Sequence, residues 1–434
     1  MLRLVCLCRL LVVTLMASST NLGWADVRPE DTITKDNSAQ AQELLTPATR
    51  WMVEQGMPMS IIEPTKIEWP KAYKEATEKY ANQVKLSADG KELHDYVAGC
   101  PFPQIDIHDP LAGSKIMWNF EQKPYDNVGS EYTAELINSK GGLERTIPSR
   151  WRRMMWMGRL YLDPKPVIPH VTPIHHTDLL GPLRVPDQNV KGMLWLYVRH
   201  LSPDVPDDTY VYRPHTFKVY REGDNSSDPV GGTDIDRDSW LGFNGKPSLW
   251  TFRMLTEKEI LAVVHSGKYG DRSAWCAPRD GTRGILAALP CVAWEKRRVW
   301  VIEGTPSGHS GSYAYSKRVL YIDQDSFGLV LAEMYDQRGE LWKFFVPCFF
   351  YAKKPYAGYP AYPLEGGKYD SEDEWPFLPN AVMVDIQTPH ATAITAPSGS
   401  VKPSEWVEEW YFNGDGPLND PLMHTPLYLK THRY

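Results

Sequence analysis

The chain has 434 residues, 42% of them hydrophobic, and its 54 acidic and 47 basic side chains give a formal charge of −7. That balance excludes a nucleic-acid binder, whose surface must be basic. The 16 Trp, 23 Tyr and 12 Phe are spread along the chain with no Gly/Ser or Pro linker between them, which predicts one large core.

Arg3 and Arg9 flank an apolar run from Leu10 to Met16, and Gly23-Trp24-Ala25 precedes Asp26. This is the pattern of a cleavable secretory leader over residues 1–25, and it predicts export to the periplasm. No later stretch approaches the roughly 18 apolar residues of a membrane-crossing helix. Cys100, Cys276, Cys291 and Cys348 remain after the leader. An even count in an exported chain suggests disulfides, and of the possible pairings Cys276 with Cys291 is favoured, stapling the Ala277–Pro290 loop.

In residues 26–434, the part from about 30 to 160 is predicted to be helical, with an antiparallel sheet over about 190–390 and an aromatic C-terminal tail. Asp36 to Gln55 reads as a helix that Asp36 or Ser38 caps and Gly56 stops, with Pro47 marking a break or second start. Ile67 to Lys85 reads as another, with Tyr73, Ala76, Tyr80 and Val84 as its buried stripe. Pro101 and Pro103 hold an extended approach to Asp109-Pro110, a cap and first-turn pair opening a helix through Lys115, Trp118 and Asn119. Glu131 to Ile147 reads as a strand with a turn at Gly141-Gly142.

Three local clusters each have a plain reading and a sharper one. Ser149 to Leu160 interleaves four Arg with Trp and Met; it is either a strand or helix with solvated Arg stems or a patch for anionic lipid. His170, His175, His176 and Asp178 are close enough in sequence for zinc, but loop hydrogen bonding is simpler and no metal is assigned. Asp234, Asp236 and Asp238 begin like a calcium loop that then lacks its Gly and Glu, so turn capping is the better reading.

Strand signals run over Met193–His200, Thr209–Tyr220, Ser248–Leu255 and Glu259–His265. They culminate in four segments with almost no spacer, Val292–Gly304, Ser312–Asp323, Gly328–Asp336 and Glu340–Val346, which can pair only antiparallel. Asp323 and Asp336 open the turns between them. Gly308-His-Ser-Gly-Ser312 approaches a hydrolase elbow but ends in Ser and lies between strands. Asp370 to Glu374 reads as a solvated acidic face, and Ala381 to Gln387 as a last strand.

Val299 and Val301 lie on one face of their strand, with Trp300 and Ile302 on the other; Tyr313, Tyr315, Val319 and Tyr321 are assigned to one face of the next. Both faces need cover. Either the sheet is packed on both sides, or it curves and its concave face lines a site for an apolar ligand. In that second case Trp300, Ile302, Tyr313, Tyr315, Val319 and Tyr321 are the lining.

The Asp95–Asn119 segment, the Val299–Gly304 strand and Tyr313–Asp323 together resemble an uncharacterised family of exported Gram-negative proteins akin to outer-membrane lipoprotein-sorting proteins. Cys100 departs from the larger apolar residue expected between Gly99 and Pro101. The resemblance implies a mainly β fold with α (α+β): an open, curved antiparallel sheet, or half-barrel, with helices covering its concave side. It also implies a cavity for acyl chains and a setting beside membrane exporters of the resistance-nodulation-division type. The expected function is therefore a non-enzymatic carrier of a lipid or lipid-linked molecule, without cofactor. The rivals are an adaptor docking to such an exporter or to an outer-membrane protein and, third, an envelope hydrolase.

Overall fold

The computed structural model describes residues 27–185, 187, 189–223, 227–265, 284–289, 292–308, 313–353, 372–395, 411–413 and 420–431. Three helices precede the main strands. Helix α1 (Pro47–Glu54) begins at a reciprocal cap: Thr49 N donates to Thr46 Oγ1, and Thr46 N donates to Thr49 Oγ1 at 2.7 Å. Pro47 occupies the first position, where no N–H is needed, so the helix expected over Asp36–Gln55 splits there, leaving only a 3-10 turn at Ser38–Ala41 upstream. Helix α2 (Lys71–Tyr80) buries Tyr73, Ala76 and Thr77, while Tyr80 and Val84 stay half-buried. Helix α3 (Ala112–Glu121) starts later than Pro110; Asp109 instead shapes the turn ahead of it, accepting from Leu111 N at 2.8 Å and Lys115 Nζ at 2.5 Å.

The sheet starts well before residue 190. Strands β1 (Asn127–Ile137), β2 (Leu143–Met155), β3 (Ile174–Leu180), β4 (Leu194–His200), β5 (Asp208–Arg213) and β6 (Lys218–Glu222) pair antiparallel in chain order. The region expected to be helical to about 160 is thus helical only as far as Glu121. A second run comprises β7 (Trp250–Ala262), β8 (Ala293–Pro306), β9 (Lys317–Asp323), β10 (Leu329–Tyr335), β11 (Leu341–Lys353), β12 (Glu374–Asp385) and β13 (His390–Thr395). These also pair in order, and β13 then pairs back onto β1, with Ala393 opposite Glu135. The short Met59–Ile61 strand runs parallel to the start of β8, which makes the sheet mixed. Among the described residues β6 and β7 do not pair, so the sheet does not close into a barrel.

Turn chemistry explains the tight meander from β9 to β11. Asp323 Oδ1 accepts from the backbone N–H of both Asp325 and Ser326, and Asp336 Oδ1 from those of Arg338 and Glu340. Gly339 takes the left-handed conformation at φ +81°, but in the first turn Phe327 does so at φ +54°, ahead of Gly328.

Both faces of the sheet are covered. Trp300, Ile302, Leu320, Ile322, Phe345 and Met383 join a core with Ile116, Met117 and Phe120 of α3; Val299, Val301, Val319, Tyr321, Phe344 and Val382 join another with Ala48, Met52 and Val53 of α1. Residues alternate between the two cores along each strand, as the pleat requires. Helix α3 lies close against β7 because Gly113 has no side chain: a Cβ there would stand 2.8 Å from the Phe252 carbonyl oxygen.

Candidate functional site

On the α3 side the packing leaves a cavity of about 100 Å³. Phe120, Pro124 and Tyr125 at the end of α3, Val128 and Trp151 from the sheet, Phe243, Phe327 and Leu378 form much of its wall. Half-buried Phe349 and Tyr351 and exposed Glu68 bring one side of it to the surface. Smaller voids of about 30, 30 and 20 Å³ continue beneath it. Trp240 borders all three, its ring 6.0 Å from Trp151 and 5.6 Å from Tyr132.

Among the described residues, the cavity carries one cationic group, Lys123, that makes no ion pair with a carboxylate. Lys123 Nζ donates to the Phe120 carbonyl at 2.5 Å and stands 3.6 Å from the centre of the Phe120 ring. Burial holds its ammonium down to about 7; Glu121 works against that shift and Arg153 with it. Burial likewise pushes the Tyr125 phenol up to about 12. Arg153 also lines the cavity but is committed, donating through Nε and Nη2 to Asp178 at 2.8 and 2.6 Å.

Behind this wall lies a second cluster. His175 and His176 at the start of β3 turn their Nδ1 atoms toward each other at 2.8 Å, and Glu121 Oε1 lies 3.6 and 3.7 Å from them. All three side chains are buried. Arg199 Nη1 donates to the same Glu121 oxygen at 2.9 Å, and Gln122 Oε1 sits 3.1 Å from His175 Nε2. Gln122 reaches the cavity as well, and its amide nitrogen has no hydrogen-bond partner among the described residues.

The residues expected to line the site are elsewhere. Trp300 stacks on Phe327 at 4.9 Å and donates to Glu257 at 3.0 Å, and Ile302 is wholly buried beside it. Tyr313 and Tyr315 donate to Asp238 and Asp236 at 2.9 and 2.8 Å. Val319 and Tyr321 belong to the α1 side; Tyr321 donates to Glu333 at 3.2 Å, and Glu333 accepts from Ala48 N at the start of α1 at 2.8 Å. Counting alternation from Tyr315 through to Val319 fails because β9 begins only at Lys317. None of the six lines this cavity; the Phe120–Tyr125 corner that does gave no periodic signal, since it lies where a helix ends.

Other motifs resolve as follows. The Ser149–Leu160 arginines neither face a membrane nor stand solvated: Arg150, Arg152, Arg153 and Arg159 are buried in or next to β2, Arg150 donating to Glu131 at 2.6 Å and Arg159 to the Met155 carbonyl at 2.8 Å. His170 is exposed and apart from the other two histidines, packing on Trp156. Asp236 caps the Arg237–Gly242 turn, and Asp234 accepts from Thr392 Oγ1 at 2.7 Å, in line with capping. Asp373, in the acidic run, is buried and accepts from Lys71 N at 2.9 Å, holding the start of α2. Cys276 and Cys291, and most of Gly308–Ser312, lie outside the described residues; Cys100 and Cys348 are buried thiols. Among the described residues no helix is long and apolar enough to cross a membrane.

A large unclosed sheet covered on both faces, with an apolar cavity under one helix, defines a mainly β architecture with few helices. The chain belongs to the family described as protein of unknown function (DUF1329), whose model matches residues 32–414. It is similar to the uncharacterized protein PA3922 of Pseudomonas aeruginosa, 23% identical over 349 residues, covering 74% of this chain and 69% of that one. Among solved structures it is similar to a DUF1329 family protein from Desulfovibrio piger (13% identical, TM-score 0.47, 74% of this chain and 99% of that one). Another is a putative outer membrane lipoprotein-sorting protein domain from Vibrio parahaemolyticus (16% identical, TM-score 0.45, 73% and 97%).

Proposed function

We propose that this protein is an exported, non-catalytic carrier that binds a hydrophobic molecule with an anionic head, of the lipid or lipid-linked class. The observation that carries the reading is Lys123: an ammonium without an ion-pair partner among the described residues, at the wall of an aromatic cavity. An anionic head meeting it gains a charge-assisted hydrogen bond in a low-dielectric setting, and each methylene buried behind it contributes about 0.8 kcal/mol. Rotation of Trp240 would join the smaller voids to one another and lengthen the channel for a chain. Helices lying over a curved inner face, as the carrier geometry requires, are part of this proposal. Native mass spectrometry of the protein from its own host, with displacement of a fluorescent fatty acid, tests it. A co-purifying amphiphile and one-to-one uptake are expected; no lipid and no uptake would overturn it.

The adaptor reading is favoured by a different observation, that Trp300, Ile302, Tyr313, Tyr315, Val319 and Tyr321 are all engaged in internal contacts. It predicts envelope cross-links to a resistance-nodulation-division exporter or outer-membrane protein that survive filling of the cavity by Leu378→Trp.

A further inference from the structure

The paired histidines behind the cavity are arranged as ligands. In each ring the outward nitrogen faces an acceptor: His175 Nε2 meets Gln122 Oε1 at 3.1 Å, and His176 Nε2 lies 3.7 Å from Asp178 Oδ2. With the proton on Nε2 of both rings, the tautomer a metal ion selects, both Nδ1 atoms are lone-pair donors. The two Nδ1 atoms are 2.8 Å apart, within reach of a hydrogen bond from one to the other, and a carboxylate oxygen lies 3.6 and 3.7 Å from them. The spacing suits a metal ion: a point equidistant from the three atoms lies about 2.0 Å from each, the length of a zinc–nitrogen or zinc–oxygen bond.

Arg153 is matched by Asp178, and Arg199, although it touches Glu121 at 2.9 Å, is also held by Asp207 at 2.6 Å. Lys123 makes no ion pair among the described residues and donates to a backbone carbonyl. Glu121 is thus one of three carboxylates, with Asp178 and Asp207, set among Arg153, Arg199 and Lys246, the last 3.4 Å from Asp207.

We propose that Glu121, His175 and His176 bind a divalent transition metal, zinc first among them, which ties the end of α3 to β3 behind the cavity. Two imidazole nitrogens and one carboxylate form a three-ligand set that leaves a further coordination position open.

The test uses full-length protein without a polyhistidine tag, equilibrated with zinc sulfate, passed through a desalting column and assayed for metal. About one zinc per chain is expected, with a higher melting temperature in zinc than in chelator. Glu121→Gln and His176→Gln are expected to lose both the metal and the melting shift, and cobalt(II) added to the wild type should give visible absorption that the variants lack. A wild type that holds no zinc and melts identically with and without it overturns the proposal whatever the variants do. So does a folded His176→Gln protein that holds as much zinc as the wild type.

Discussion

Arg318 donates through Nη2 to Asp236 Oδ1 at 3.0 Å, and neither side chain reaches solvent. Ser239 Oγ accepts from Arg318 Nη1 at 2.8 Å, and Tyr315 gives its hydroxyl proton to Asp236 Oδ2, so the Asp236 carboxylate meets a cation and a hydroxyl donor inside the core. Tyrosines that looked like ligand-facing rings are members of this knot. Removing one partner strands the other charge away from water.

Asp236→Ala should therefore destabilise the protein by about 3–5 kcal/mol, while Arg318→Met combined with Asp236→Ala should recover part of that loss. Urea unfolding followed by tryptophan fluorescence measures both. A double-variant loss equal to the sum of the Asp236→Ala and Arg318→Met losses would show that the buried pair is not coupled.

His424, buried against Thr177, should make stability depend on pH. Burial lowers its ring to about 3, with Arg152 adding to the effect and Asp178 opposing it. The folded state thus holds the ring neutral while the unfolded chain protonates it near 6.5, so stability present above that pH is lost as pH falls from 6.5 toward 3. At pH 5 the contribution is about 1–2 kcal/mol. The gap in stability between pH 7 and pH 5 should accordingly be smaller in His424→Gln than in the wild type.

Lys123 should govern how ligand binding varies with pH. Its ammonium titrates at about 7 because burial disfavours the charge, so an anionic head is held below that pH and released as pH rises through it. Fatty-acid affinity should fall between pH 6 and 8.5. Lys123→Met should bind about tenfold or more weakly at pH 6 and lose the slope, since a hydrogen bond to a charged group is worth about 1.5–3 kcal/mol. Isothermal titration at the two pH values reads this directly.

The thiols of Cys100 and Cys348 should resist alkylation in the native protein. Burial pushes Cys100 up to about 12 and Cys348 higher still, leaving almost no thiolate at neutral pH. In denaturant without reductant, a mass shift of two alkyl groups on the mature chain is expected if Cys276 and Cys291 are bridged. A shift of four would remove that disulfide.

Much of the sheet was legible in the sequence. Spacers too short for a crossover force the strands from Ala293 to Lys353 to pair antiparallel, Asp323 and Asp336 mark their turns, and Pro47 marks the start of α1. These are local effects, decided by residues within a few positions of one another. The extent of the sheet was less legible, because β1 and β2 carry Glu131, Arg150, Arg152 and Arg153, which read as surface residues until their buried surroundings are seen.

The sites were decided by tertiary structure. Glu121 meets His175 and His176 because α3 ends beside β3, and Lys123 reaches the cavity because the chain leaves the helix there. Alternation along a strand tells which side chains share a face, but a buried charge is stable only beside a particular distant partner. That partner is chosen by how the elements pack, which no spacing along the chain records.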